Sequence, residues 1–163
     1  IAGTGSLTVT TAGPSGFGTW IDTFPGLPAA QKLPDADPDS DGHRNLEEFA
    51  FGGNPTSPTD NGQRQLRTID AKVDTLPDLT LTIEVHTGTT FAAEGPDLVS
   101  PLIDGITYRI EGSTDLANFT SPVTEVIPHL GTGSPKSGYI FKTFRLTAAN
   151  GLPNRGFLRA SAQ

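Results

Sequence analysis

The chain has 163 residues, which is enough for one well-packed core or for one domain with a small appendage. Its net charge of −7 and pI near 4.7 argue against nucleic acid or an anionic membrane surface as a partner. Cysteine is absent and no apolar stretch approaches the length of a membrane span, so we expect no disulfide, no thiol chemistry and no membrane insertion.

The composition is typical of a turn-rich β protein. Glycine (19) and proline (14) are abundant, whereas aromatic residues make up only 7% of the chain. The apolar content of 34% is low for a globular protein, so we expect a thin core that depends partly on a bound metal. The chain starts at Ile1 and contains no methionine, and we therefore expect it to be part of a longer protein.

Four segments follow from shifts in composition and in hydrophobic period. Residues 1–15 are small and rich in Thr and Gly, and they predict a linker or a short edge strand. Residues 16–55 carry two helical patterns around an acidic loop. Residues 56–64 predict a linker, and residues 65–163 show the period of two that strands require.

The first helical pattern consists of Phe17, Trp20, Ile21 and Phe24, which recur at the spacing of one helical face. Pro25 is expected to end this helix. Trp20 is the single tryptophan of the chain, and its place in the stripe favours packing in the core over stacking on a sugar.

Residues 37–48 fit the twelve-residue calcium loop of an EF-hand. The expected ligands are Asp37, Asp39, Asp41, the backbone carbonyl of His43, Asn45 directly or through water, and a bidentate Glu48. Gly42 falls at the position where the chain turns sharply and a side chain would be in the way. A start at Asp35 would place Ser40 at that position, so the register is fixed.

Calcium is the predicted cofactor because hard oxygen ligands would relieve the repulsion between these carboxylates. Magnesium fits a bidentate, seven-coordinate site less well. The alternative is a solvated acidic loop, which leaves the repulsion and the placement of the glycine and glutamate unexplained.

A second helical pattern follows the loop. Leu46, Phe49 and Ala50 form a short apolar stripe, and the glycines at 52 and 53 are expected to end the helix. The sequence thus predicts a helix, a calcium loop and a second helix, with both apolar faces packed on the domain that follows. A second acidic loop is not found, so neither a paired EF-hand sensor nor a two-loop dockerin is predicted.

The rest of the chain predicts an antiparallel β-sandwich, Ig-like or jelly-roll-like, and hence a mainly β fold. Apolar and polar residues alternate over 79–86, 106–112, 123–127, 139–146 and 157–160. Turn clusters separate these strands, for example Glu94–Asp97 and Gly131–Gly138.

Several of these motifs together resemble a C-terminal module of very large secreted or surface proteins of environmental bacteria. They are Phe17–Ile21, Phe24–Leu27, Asp37–Gly42, Asn45–Ala50, Gly52–Pro55, Tyr108–Leu116, Phe144–Leu146 and Gly156–Arg159. The acidic loop is also similar to thrombospondin type 3 and dockerin calcium repeats. The resemblance implies an accessory role in an adhesin or a carbohydrate-active protein, an extracellular or cell-surface location, and contact with other domains of the parent protein.

The sequence contains no Gly-x-Ser-x-Gly elbow, no His-Glu-x-x-His and no phosphate-binding glycine loop, so an enzyme is not expected. The predicted function is a non-catalytic accessory module that binds a polysaccharide or cell-surface glycan, or mediates adhesion. A purely structural spacer or anchor is the alternative, and a polysaccharide-active enzyme is a distant third.

Sugar binding requires exposed aromatic rings, and the candidate ligand-binding residues are Tyr139 and Phe119. Tyr139 follows a glycine-rich loop, and Phe119 lies near a strand end, where covering a sandwich edge is the alternative role. Tyr108 shares a face with Ile106 and Ile110 and is therefore predicted to lie in the core.

Overall fold

The structure is a computed structural model that describes residues 16–62, 64–69, 78–146 and 155–163. The linker or edge strand predicted for residues 1–15 lies outside the described residues. In chain order the elements are α1 (Phe17–Ile21), a 3-10 turn (Ala29–Gln31), α2 (Asn45–Phe51), β1 (Arg64–Ile69), β2 (Asp78–His86), β3 (Ala92–Glu94), β4 (Asp97–Val99), β5 (Tyr108–Ser113), β6 (Val123–Val126), β7 (Tyr139–Leu146) and β8 (Phe157–Ala162).

The strands form two four-stranded sheets with the orders β1-β2-β7-β6 and β3-β4-β5-β8. All neighbouring strands are antiparallel. The prediction of a mainly β chain with antiparallel sheets is confirmed. Strand β1 and the two three-residue strands β3 and β4 were not predicted, although Glu94–Asp97, predicted as a turn, connects β3 and β4.

The two sheets and both helices share one apolar core. From the strands, the core takes Leu81, Ile83, Val85, Leu98, Tyr108, Ile110, Val123 and Phe144, and Ile106 joins them from the segment before β5, all buried. From the helices, it takes Phe17, Ile21, Phe49, Ala50 and Phe51. The helices therefore pack on the strand domain, as the sequence predicted, and Tyr108 is a core residue. Trp20 packs against this cluster, with its ring 5.4 Å from that of Phe49.

Strand β2 is buried on both faces. The predicted apolar face contacts the core, but Thr80, Thr82, Glu84 and His86 on the opposite face are buried as well. This second face is covered in part by residues 127–138, which connect β6 to β7. Backbone N–H groups of this connection form hydrogen bonds with side chains of the sheet. Leu130 N–H donates to Thr143 Oγ1 at 2.8 Å, and Lys136 N–H donates to Glu84 Oε1 at 2.9 Å.

Gly131 allows this connection to approach the sheet closely. A Cβ at this position would lie 2.2 Å from the ring of Phe141, so any larger residue would push the connection away. The sequence showed a turn cluster here and did not reveal that the turn covers a sheet.

Helix α1 ends at Ile21, three residues before the predicted end at Phe24. The backbone tightens there into i to i−3 hydrogen bonds, with Thr23 N–H to Trp20 O at 3.0 Å and Phe24 N–H to Ile21 O at 3.2 Å. Residues 22–36 then separate α1 from the acidic loop, so only α2 adjoins the loop. The predicted helix–loop–helix arrangement is thus not confirmed. Among the described helices, none has the length and apolar character needed to cross a membrane.

Candidate metal centre

Three carboxylates of the acidic loop converge. Asp37, Asp39 and Asp41 each offer an oxygen that lies within 4.8 Å of the others, and such a group could hold a metal ion. The loop backbone reaches this shape through two residues with positive φ, Ser40 at 62° and Gly42 at 90°. A Cβ at Gly42 would meet no atom within 4 Å, so the glycine serves the backbone conformation and does not relieve crowding, contrary to the prediction.

Each of the three aspartates uses one carboxylate oxygen within the loop. Asp37 Oδ2 accepts from Gly42 N–H at 3.0 Å, Asp39 Oδ1 from Asp41 N–H at 3.3 Å, and Asp41 Oδ1 from His43 N–H at 2.8 Å. The second oxygen of each aspartate is buried and has no hydrogen-bond partner. Each aspartate is therefore held in the loop through one carboxylate oxygen, and its second oxygen is available as a ligand.

Asn45 and Glu48 of α2 add further unpartnered oxygens. The Asn45 amide Nδ2 donates to the carbonyls of Gln31 at 2.7 Å and Leu33 at 2.8 Å, which leaves Oδ1 buried without a partner. Glu48 is fully buried and neither of its carboxylate oxygens has a partner. Of the eight buried, unpartnered side-chain oxygens in the described residues, six belong to the five side chains at loop positions 1, 3, 5, 9 and 12.

The electrostatics of these groups show mutual repulsion. The pKa of Glu48 is raised to about 8, mainly by burial and in addition by the charges of Asp39, Asp41 and Asp37. Burial likewise raises the pKa of Asp39, with smaller contributions from the other two aspartates. Buried carboxylates in this arrangement are costly unless they are protonated or neutralised by a cation.

The donor set fits a hard cation. The five side chains supply carboxylate and amide oxygens, which hard divalent ions such as Ca²⁺ and Mg²⁺ prefer to nitrogen or sulfur. The ring of His43 is directed elsewhere, because its Nδ1 lies 3.3 Å from Glu47 Oε2 and 3.4 Å from an Arg64 guanidinium nitrogen. The role of the His43 carbonyl as a ligand stays a prediction.

The sandwich holds the carboxyl end of α2 through three side chains. Tyr139 donates its hydroxyl to the Phe49 carbonyl at 2.7 Å, and His86 Nε2 lies 3.0 Å from the same oxygen. The Tyr108 hydroxyl donates to the Ala50 carbonyl at 2.8 Å. These carbonyls belong to the last turn of the helix, where backbone acceptors have no partner within the helix.

A lysine extends this attachment beyond the helix end. Lys136 Nζ donates to the Gly52 carbonyl and lies 2.8 Å from both carboxylate oxygens of Asp60. The sequence analysis did not identify Lys136 or His86 as site residues. The sequence offered only an indirect signal, since a buried tyrosine or histidine needs a hydrogen-bond partner for its polar end.

The two candidate sugar-binding aromatics lie apart in the fold and are already engaged. Tyr139 is on β7, half-buried against His86, with its hydroxyl on Phe49. Phe119 is half-buried beneath the guanidinium of Arg159 on β8, which lies 3.7 Å from the ring centroid. Glycan binding by either residue stays a prediction.

The chain matches none of the known proteins with which it was compared. Comparisons with protein-family models, curated proteins and solved structures gave no match. The case for an ion at residues 37–48 therefore rests on their donor set.

Proposed function

We propose that the chain is a non-catalytic, calcium-stabilised module of a secreted multidomain bacterial protein, in which Ca²⁺ bound by residues 37–48 fastens α2 to the β-sandwich. One observation carries the proposal. Six buried oxygens without partners lie on Asp37, Asp39, Asp41, Asn45 and Glu48, at the spacing of a calcium loop. A solvated acidic loop would not bury these oxygens unpartnered.

Calcium is favoured over other hard cations by the number and flexibility of the donors. Ca²⁺ takes six to eight oxygens and accepts a bidentate carboxylate, whereas Mg²⁺ requires a compact octahedron and retains several waters. Both oxygens of Glu48 lack a partner, which suits bidentate coordination. The ion would compensate the burial of Glu48 and the repulsion from the three aspartates, which together raise the pKa of Glu48.

An extracellular or cell-surface location suits such a site. Extracellular calcium modules have dissociation constants of about 10⁻⁴ to 10⁻³ M and are occupied only where free calcium is high. The chain lacks cysteine, so no disulfide can stabilise it in an oxidising environment. An ion that binds only the folded loop adds its binding free energy to folding and would fill that role.

Of the two roles considered for such a module, spacing or anchoring the parent protein is favoured. Tyr139 and Phe119 are occupied by contacts within the domain, which leaves neither as a freely exposed stacking surface. Binding of a polysaccharide or cell-surface glycan is the alternative. Saturable binding to one polysaccharide on a glycan array, reproduced by isothermal titration, would establish that alternative.

The calcium proposal is tested by isothermal titration of the chelator-treated chain with CaCl₂ and with MgCl₂. We expect one calcium site and weaker magnesium binding. Glu48→Gln should remove the site, whereas Glu47→Gln, a matched change at the neighbouring residue, should leave it largely intact. The proposal would be refuted if the folded wild-type protein gave no heat of calcium binding. It would also be refuted if the two substitutions changed the calcium affinity equally.

A further inference from the structure

We propose that His86 is a positioning residue for the cation site, which holds α2 by its carboxyl end so that Glu48 faces the acidic loop. The inference rests on the proposed function, because it concerns the calcium affinity of the same site. His86 touches none of the predicted ligands in the structure. Its influence would pass through Phe49, the residue that follows Glu48.

The ring of His86 is enclosed between α2 and the strands. It is the last residue of β2, is 7% exposed, and packs edge-on against the rings of Phe49 at 4.5 Å and Tyr139 at 4.9 Å. Its Nε2 lies 3.0 Å from the Phe49 carbonyl and its Nδ1 2.7 Å from Asp104 Oδ2. The ring therefore links the end of α2 to the loop that carries Asp104.

The backbone of His86 extends the same network. Its N–H donates to the Tyr108 hydroxyl at 3.2 Å, and that hydroxyl donates to the Ala50 carbonyl. Two consecutive carbonyls of the last helical turn are thus held by one region of the sandwich. Since a helix is stiff over one turn, fixing these carbonyls also fixes the direction of Glu48.

Both ring nitrogens of His86 face acceptors. The Phe49 carbonyl cannot donate a hydrogen bond, and an ionised Asp104 carboxylate cannot donate either. Each ring nitrogen that carries a proton can donate one hydrogen bond, so the ring is placed to bridge the Phe49 carbonyl and the Asp104 carboxylate.

Polar groups from several elements surround the ring. Asp104 is half-exposed, whereas burial raises the pKa values of Tyr108 and Tyr139. Removing the ring donors would leave the Tyr139 hydroxyl as the remaining side-chain donor to the Phe49 carbonyl. The end of α2 would then be held less firmly, which would weaken calcium binding.

Asp104→Asn tests the second contact of the ring. The substitution is conservative, since asparagine tolerates the positive φ of 50° at this position. It replaces a charged acceptor of the ring by a neutral one, so the hydrogen bond to His86 Nδ1 should be weaker but not lost.

The test measures the calcium dissociation constant of the full chain by isothermal titration with CaCl₂ for the wild type, His86→Phe, Asp104→Asn and Val123→Ala. His86→Phe keeps a ring but no donors and should weaken binding roughly tenfold, as expected for a group that orients a metal ligand. Val123→Ala, a core change on β6 away from α2, should lower the melting temperature in EDTA without changing the dissociation constant. Asp104→Asn, which weakens one contact of the ring and keeps the other, should weaken calcium binding by less than His86→Phe does.

Wild-type affinity in folded His86→Phe would overturn the inference while leaving the proposed function intact. If His86→Phe fails to fold, Asp104→Asn decides: a calcium dissociation constant equal to that of the wild type would also overturn the inference. A wild-type protein that binds no calcium would refute the proposed function and the inference together.

Discussion

Tyr139 donates its hydroxyl to the carbonyl of Phe49 at 2.7 Å, and this bond ties strand β7 to the residue that follows Glu48. The acidic loop and the sandwich are thus joined through α2, with predicted cation ligands at its first and fourth residues and sandwich donors on its last turn. An ion at one end and hydrogen bonds at the other would restrain the same seven residues. The stability of the fold and the occupancy of the site should therefore be coupled.

Chelation should lower the melting temperature, and added calcium should restore it. At a free calcium concentration of about one hundred times the dissociation constant, linkage adds about 2.7 kcal/mol to the free energy of unfolding. The measurement is differential scanning calorimetry in EDTA and in millimolar calcium. The same melting temperature in both conditions would contradict the prediction.

Glu48→Gln should have opposite effects in the two conditions. Without calcium, it removes a carboxyl group that must either stay charged while buried near three aspartates or take up a proton on folding, so the melting temperature at neutral pH should rise. With calcium, it removes a bidentate ligand, so the stabilisation by the ion should be lost. Thermal melts of Glu48→Gln and Glu47→Gln, with calcium and with EDTA, test this prediction. The change in melting temperature should reverse its sign in Glu48→Gln and should not do so in Glu47→Gln.

The pH dependence of the calcium-free protein follows from the same carboxyl group. The pKa of Glu48 is raised from 4.5 to about 8 in the fold, so its contribution is fully present below pH 4.5 and is lost as the pH rises through about 8. Unfolding in EDTA should thus require less urea at pH 8 than at pH 6, in wild type but less so in Glu48→Gln. If the free energy of unfolding in EDTA changed equally with pH in the wild type and in Glu48→Gln, the pH dependence would not come from Glu48.

The convergence of Asp37, Asp39 and Asp41 follows from local spacing, which the sequence shows directly. The left-handed conformation of Gly42 belongs to the same pattern. The alternation of β2 likewise predicted its buried apolar face. Where the structure depends on sequence neighbours alone, the sequence was sufficient.

The cover over β2 could not be predicted because it depends on polar contacts between distant residues. Thr82 Oγ1 pairs with Thr143 Oγ1 at 2.8 Å, and Glu84 accepts from the backbone of Lys136. An alternating pattern marks Thr82 and Glu84 as solvent-facing, since the period of two reports only which face is apolar. For the same reason His86 showed no sign of its contact with α2.

Asn45→Ala should destabilise the protein even without calcium. Its amide satisfies the carbonyls of Gln31 and Leu33, and removing it leaves two acceptors without this donor, at a cost of roughly 1–3 kcal/mol. Asp41→Ala should instead weaken calcium binding strongly with little loss of stability in EDTA. Titration calorimetry together with urea unfolding in EDTA separates the two variants. If both variants had the same calcium affinity and the same stability in EDTA, Asn45 would not hold the segment that contains Gln31 and Leu33.

Tyr108→Phe should cost more stability than Tyr139→Phe, although each removes one hydroxyl group. Loss of the Tyr108 hydroxyl deprives both the Ala50 carbonyl and the His86 N–H of a partner in the core, at about 1–3 kcal/mol for a buried unsatisfied group. The Phe49 carbonyl retains His86 as a donor when the Tyr139 hydroxyl is removed, so that substitution should cost only about 0.5–1.5 kcal/mol. Urea unfolding of both variants in EDTA measures the difference without a contribution from the ion. The reverse order would mean that Tyr139, not the buried network of Tyr108, is the main attachment of α2 to the sandwich.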